Sequence, residues 1–203
     1  MIIDSVSHQL STDNYFQVES IKKQIVIGHT YNHDMKHVIG WQHRYNGKYK
    51  KTAAYTISAA GVVYNHFKPS FQSKYLNDFE MDKKSIVILL ENDGWLTKDD
   101  KTNEFFTWIG DIYKEPSNIV EKKWRNYEYW SPYNKKQVKS LELLIKLLCD
   151  EFSIPLIAID HNTKIDEITD YEGIIYRSNL NKNYTDLNPS WDFIKFKNKI
   201  EIK

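Results

Sequence analysis

Cysteine, long apolar runs and an excess of either charge are all missing from this chain, and each absence removes a class of protein. The single cysteine in 203 residues, Cys149, cannot close an intrachain disulfide, which excludes a disulfide-stapled scaffold. It falls inside an apolar helical pattern and reads as a buried structural thiol rather than a nucleophile. No apolar stretch approaches the ~18 residues that a membrane span requires. The start, Met1-Ile2-Ile3-Asp4-Ser5, lacks the basic and apolar regions of a signal peptide. A soluble protein, made in the cytoplasm without a signal peptide and with no membrane span, is the expectation. Lys and Arg number 28 against 27 Asp and Glu, a net charge of +1, so there is no global pull toward nucleic acid, and none is expected as a partner. The basic stretch Arg44-Tyr45-Asn46-Gly47-Lys48-Tyr49-Lys50-Lys51 reads as solvated surface. There are no repeats and no Pro/Gly/Ser linker, so residues 1–203 are expected to form one domain.

Aromatic residues are abundant: 14 Tyr, 9 Phe and 6 Trp. Many fall between Phe105 and Tyr133, inside a stretch, 95–134, that reads as an aromatic-rich, loop-rich insertion packing on itself. A wall of flat rings for a sugar or peptide is the sharper alternative. Residues 1–20 read as an N-terminal arm. Ile25 to Ile27 is a short buried strand, and Met35, Val38, Ile39 and Gln42 recur at helical spacing before Asn46-Gly47 stops the helix. Ala53 to Ile57 and Gly61 to Phe67 suggest a hairpin. Ser85-Ile86-Val87-Ile88-Leu89-Leu90-Glu91, apolar on both faces, predicts a central strand in a covered sheet. Asn134 to Phe152 is the strongest helix, with Val138, Leu141, Leu144, Ile145, Leu148 and Phe152 on one face. Leu156 to Ile159 and Gly173 to Tyr176 predict two further strands, and Trp191 to Phe196 an aromatic segment packed on the core. The fold class is α/β: a single domain with a central mixed β-sheet flanked by helices.

Three potential metal ligands stand at the ends of apolar runs or near the chain end. His29 closes Gln24-Ile25-Val26-Ile27-Gly28-His29, His161 follows Ile154-Pro155-Leu156-Ile157-Ala158-Ile159-Asp160, and Asp186 lies in Tyr184-Thr185-Asp186-Leu187-Asn188-Pro189. Two imidazoles and a carboxylate are the donor set of an open catalytic zinc site, with a fourth position left for water. His33 and His37 would align on a helix but lack the Glu of an HExxH motif. His66 reads as a structural histidine.

The context of these residues resembles the zinc-dependent N-acetylmuramoyl-L-alanine amidase family, which includes phage lysozyme-like amidases, cell-wall recycling amidases and peptidoglycan recognition proteins. Ile25-Val26-Ile27-Gly28-His29-Thr30 is similar to the strand that carries the family's first ligand. Thr52 to Ile57 with Gly61 to Tyr64 is similar to its hairpin, and Ser85 to Asn92 to its central strand. The helix opening with Gln137 and the Ile154-Pro155 run toward His161 resemble the approach to the second ligand. Thr185-Asp186-Leu187-Asn188-Pro189-Ser190-Trp191 resembles the third, although counting back from Pro189 points to Asn188.

This resemblance implies an amidase/peptidoglycan-recognition-like fold and a Zn2+ cofactor held by His29, His161 and Asp186. It implies hydrolysis of the bond between N-acetylmuramic acid and L-alanine, with peptidoglycan or muropeptide as partner. The implied place of action is the bacterial cell wall, in phage-type lysis or as part of a phage particle beside other virion proteins. At the positions that match the family's acid/base residues this chain has Leu89 and Ala53, which cannot move a proton, and Tyr184 replaces a lysine. Loss of an acid/base group costs roughly 10²–10⁴ in rate. Glu91 is the candidate substitute base, since residues two apart on a strand share a face, and Tyr184 or Arg177 the candidate oxyanion partners. The alternative is an inactive member that binds peptidoglycan or serves as a virion interaction module.

Overall fold

The computed structural model describes residues 1–161 and 168–201. Its core is a six-stranded mixed sheet built from β1 (Ile2–Asp4), β2 (Gln24–His29), β3 (Tyr55–Ile57), β4 (Val62–Asn65), β5 (Ser85–Leu90) and β10 (Gly173–Tyr176), in the order β1-β4-β3-β5-β2-β10. β10, β2, β5 and β3 run parallel; β4 returns antiparallel to β3, and β1 lies parallel to β4 at the edge. Every residue of β2, β5 and β10 is buried. Strands covered on both faces can be continuously apolar, which is why Ser85 to Leu90 shows no alternation.

Helices α1 (Lys36–His43), α2 (Phe79–Lys84), α3 (Lys135–Phe152), the single turn α4 (Arg177–Leu180) and α5 (Phe193–Glu201) flank the sheet. α3 begins at Asn134, whose side chain accepts the N–H of Lys136. It buries Leu141, Leu144, Ile145 and Leu148 completely. Gln137, also buried, donates to the carbonyls of Ile57 and Glu91, tying the helix to two strand ends. Trp191, Phe196 and Ile200 join the same core, so the C-terminal segment does pack back on it.

Two expectations need correction. The run Leu156 to Ile159 is not a strand; it touches the sheet through one isolated bridge, Ala158 to Ile174, on the outer side of β10. Pro155 cannot donate to a ladder, and the segment's amides go instead to single partners such as the Ile174 carbonyl. The aromatic-rich stretch is more than loops: β6 (Trp95–Lys98), β7 (Phe105–Phe106), β8 (Val120–Trp124) and β9 (Tyr127–Trp130) form a second, antiparallel sheet. β8 and β9 are joined by Arg125 and Asn126, both at positive φ (48° and 69°), the two-residue turn whose twist matches a hairpin. The rings stack within it, Trp95 on Tyr127 at 4.3 Å between centroids.

Candidate functional site

His29 is the last residue of β2, and Arg177 directly follows β10. Because Tyr176 pairs with Ile27 in parallel register, the chain delivers Arg177 abreast of Gly28 at the carboxyl ends of the strands. In open α/β sheets this end is where ligands bind. Gly28 leaves the room that the third group needs. A Cβ built there would lie 2.5 Å from Oδ2 of Asp186 and 3.4 Å from Cδ of Arg177.

Asp186 is wholly buried. Its Oδ2 accepts the backbone N–H of His29 at 3.2 Å and Nη1 of Arg177 at 3.4 Å, and its Oδ1 accepts the Tyr31 hydroxyl at 3.3 Å. The Arg177 guanidinium also packs against the rings of Tyr184 (4.1 Å) and Tyr75 (5.1 Å), stacking that suits a planar cation. Burial lowers its pKa, but the Tyr75 oxygen and the Asp186 carboxylate outweigh burial and raise it, so the guanidinium is charged at every accessible pH.

His29 is held neutral. Burial pushes its pKa down to about 4 against the opposing pull of Asp186. Its Nδ1 shares a 2.8 Å hydrogen bond with the Tyr133 hydroxyl, which also accepts the N–H of Asn188. Its Nε2 is buried with no hydrogen-bond partner. The edge of Tyr31 (4.2 Å between ring centroids) and the backbone of Gly94 cover it. Gly94 has φ +78°, and a Cβ there would come 3.2 Å from Nε2 and 2.8 Å from Tyr31. Only glycine fits without movement.

The structure therefore brings His29, Asp186, Arg177 and Tyr184 together. His161 does not join them in a metal-binding group among the described residues: its ring stacks on Phe193 at 3.7 Å, lies 5.0 Å from Trp124, and donates a hydrogen bond to the Leu187 carbonyl. Burial and then the charge of Arg125 lower its pKa to about 4. Glu91 follows the end of β5, and both its oxygens are taken by backbone N–H groups, Met35 on one and Ala59 on the other. It clamps the start of α1 to the hairpin and borders a separate depression of 780 Å³. Leu89, not Glu91, faces the strand-end cleft. Asn188 is buried and donates to Asn92 and the Ser131 carbonyl, so the amide serves to fix the loop behind Tyr133. His37 and His66 share the Thr56 hydroxyl, at 2.9 and 2.8 Å. His33 bonds Asp93.

Several residues of the site carried no signal in the sequence. Tyr31, Tyr133 and Thr185 are reached only through the tertiary fold, although Tyr31 stands two residues beyond His29. Arg125, at the tip of the β8–β9 turn, donates to the carbonyls of Ser178, Asn181 and Tyr184 and so pins the loop that carries Arg177 and Asp186. The indole N–H of Trp108 donates to the Tyr31 carbonyl at 2.6 Å. The second sheet is thereby bound to the site. It contributes Trp95, Trp108 and Tyr127 to a cleft of 560 Å³ over His29, opposite Trp41 and Tyr75. The same cleft is edged by Lys36, Arg44, Lys51 and Arg177, and no carboxylate lines it among the described residues. An aromatic floor with a cationic rim suits a sugar bearing acidic groups.

Residues 19–170 match the family model of N-acetylmuramoyl-L-alanine amidase. The chain belongs to that amidase family. No curated protein matches it in sequence. Among solved structures it is similar to the N-acetylmuramoyl-L-alanine amidase LysC from Clostridium intestinale (TM-score 0.55, 12% identity, 100% of this chain and 97% of that one). It is also similar to the amidase AmiD from E. coli in complex with anhydro-N-acetylmuramic acid-L-Ala-D-gamma-Glu-L-Lys (0.56, 14%, 98% and 65%). A third likeness is to the ectodomain complex of the peptidoglycan recognition proteins LCa and LCx (0.56, 11%, 97% and 95%). At these identities the likeness is one of fold.

The family implies zinc, and the described residues of this amidase-family chain do not fit it. Among the described residues no three His, Cys, Asp or Glu side chains gather as a group that could hold a metal ion. Asp186 has its charge balanced by Arg177 and both oxygens engaged. A dication about 4 Å from that guanidinium would be repelled by about 8 kcal/mol at an effective dielectric near 20. Nε2 of His29 is buried without a hydrogen-bond partner, but His29 and Asp186 are not joined by a third such side chain among the described residues.

Proposed function

We propose that this amidase-family protein binds muropeptide or the peptidoglycan strand in the strand-end cleft, without zinc-dependent turnover. The observation that carries this is the cleft itself: aromatic rings from the second sheet, from α1 and from the loops beside it, a rim of four cations, and an ion pair where a metal-binding group would be needed. Sugar rings stack on Trp95, Trp108 and Tyr127, and the carboxylates of the lactyl-linked peptide face Lys36, Arg44 and Lys51. The missing acid/base groups at Leu89 and Ala53 agree with binding rather than hydrolysis. The place of action that follows is the bacterial cell wall, with a phage particle and its other virion proteins as the setting, in keeping with an endolysine amidase from Clostridium intestinale among the similar structures.

A second reading is zinc-dependent hydrolysis of the bond between N-acetylmuramic acid and L-alanine. It is favoured by the family match and by the bare, buried Nε2 of His29. One experiment separates the two. Purified protein is titrated calorimetrically with an anhydro-muropeptide, and the same mixture, with and without added zinc, is examined chromatographically for released stem peptide. Binding without release is the expected result. Release that is abolished in His29→Ala establishes the second reading, and neither binding nor release removes both.

A further inference from the structure

The parallel register of β10 on β2 decides which residue stands beside His29, and it is neither His161 nor any other metal-binding side chain. Ile174 pairs with Ile25 and Tyr176 with Ile27, so the next residue, Arg177, leaves the sheet level with Gly28 and beside the end of β2. Its Cδ approaches the Gly28 Cα side closely, its Nη1 reaches Oδ2 of Asp186, and the same Oδ2 holds the N–H of His29. Three points of one small cluster are thus a histidine, a carboxylate and a guanidinium. The segment that ends in His161 lies one step further out, beyond β10, joined through the Ala158 to Ile174 bridge.

We infer that Arg177 stands in the place of a second metal-binding imidazole, so that the cation of this site is a built-in guanidinium paired with Asp186 and the protein needs no metal there. The side chains around it are made for that occupant. Tyr75 and Tyr184 pack on the guanidinium, Tyr75 also accepts from Nη1 at 3.4 Å, and the Arg177 side chain is only 18% exposed. Arg125 fastens the following loop by three carbonyls, which fixes the separation between Arg177 and Asp186. A single change of residue type at position 177 should then convert the pair into a metal-binding set, because His29 and Asp186 are already in place. The assignment holds whichever ligand the cleft takes, so failure of muropeptide binding does not bear on it.

The test uses the full chain and zinc alone. Zinc content is measured after incubation and desalting, and binding by calorimetry, for wild type, His29→Ala, Arg177→His and Arg177→His with His29→Ala. The expected result is less than about a tenth of an equivalent of zinc on wild type and about one equivalent on Arg177→His. The equivalent should be lost again in the double variant. Arg177→Cys, loaded with Co2+, supplies a second route, since a thiolate ligand gives a charge-transfer band in the near ultraviolet. One equivalent on wild type that disappears in His29→Ala overturns the inference. So does a folded Arg177→His or Arg177→Cys that takes no metal. If both variants fail to fold, the wild-type stoichiometry with its His29→Ala control decides.

Discussion

Replacing Arg177 by methionine keeps the volume of the side chain and removes its charge, which isolates what the guanidinium does for Asp186. The carboxylate is fully buried, and its other contacts are one backbone N–H and one hydroxyl, both beyond 3.1 Å. At 3.4 Å and an effective dielectric near 20, the pair attracts by about 5 kcal/mol. Removing one partner of a buried pair typically costs about 3–5 kcal/mol, because the other charge is left uncompensated. Arg177 retains some contact with solvent, so the lower half of that range is expected. For a domain of this size about 3 kcal/mol corresponds to a fall in Tm of roughly 6–12 °C. Asp186→Leu should cost a similar amount. The double variant should cost distinctly less than the sum, since a buried pair exchanged for apolar groups is often nearly neutral. Urea unfolding at pH 7 with an unchanged m-value measures all three. A loss under about 1 kcal/mol for Arg177→Met, or strict additivity in the cycle, refutes the assignment of Arg177 as the counter-charge of Asp186.

Gly28→Ala would place a methyl group 2.5 Å from Asp186 Oδ2, so a loss of about 1–3 kcal/mol from overpacking is expected, read as a lower urea midpoint. Tyr133→Phe removes the hydroxyl that bonds His29 Nδ1 and accepts the N–H of Asn188; a loss of about 1–3 kcal/mol, with NMR chemical-shift changes at the His29 ring and the Asn188 amide, is expected. Burial holds His66 at about 4 and His37 at about 3, below their unfolded value of 6.5. Between those values the unfolded chain binds more protons, so their contribution is whole above pH 6.5 and is lost as pH falls toward 4, on the order of 3 kcal/mol per group. Asp82, raised by burial to about 6, acts in the opposite sense over pH 4–6. His66→Gln should therefore flatten the rise of stability between pH 4 and 6.5; an unchanged slope would show that His66 is not the buried neutral group described.

The central strand, the hairpin and the long amphipathic helix were legible because each depends on a local pattern: an unbroken apolar run, two short runs about a turn, and a helical stripe capped by Asn134. His29 was legible for the same reason, as the polar residue that ends a buried strand. Asp186 was legible through its neighbours in sequence. The second sheet was not, because its strands are two to five residues long and nearly every residue in them is aromatic or charged, so no period of two emerges. Its turn at Arg125-Asn126 is a conformational signal that neither residue announces.

By itself the sequence determined the α/β class and the family resemblance, and it named His29, Asp186, Arg177 and Tyr184 as candidates. That Arg177, rather than His161, pairs with Asp186 beside His29 was decided by tertiary structure. A strand register is set by the side chains on both faces of the sheet and by the strands beside it, not by the eight residues between Arg177 and Asp186 or the long interval from His29. Pairing β10 with β2 brings a guanidinium to the site, while His161 stacks on Phe193 and joins no metal-binding group among the described residues.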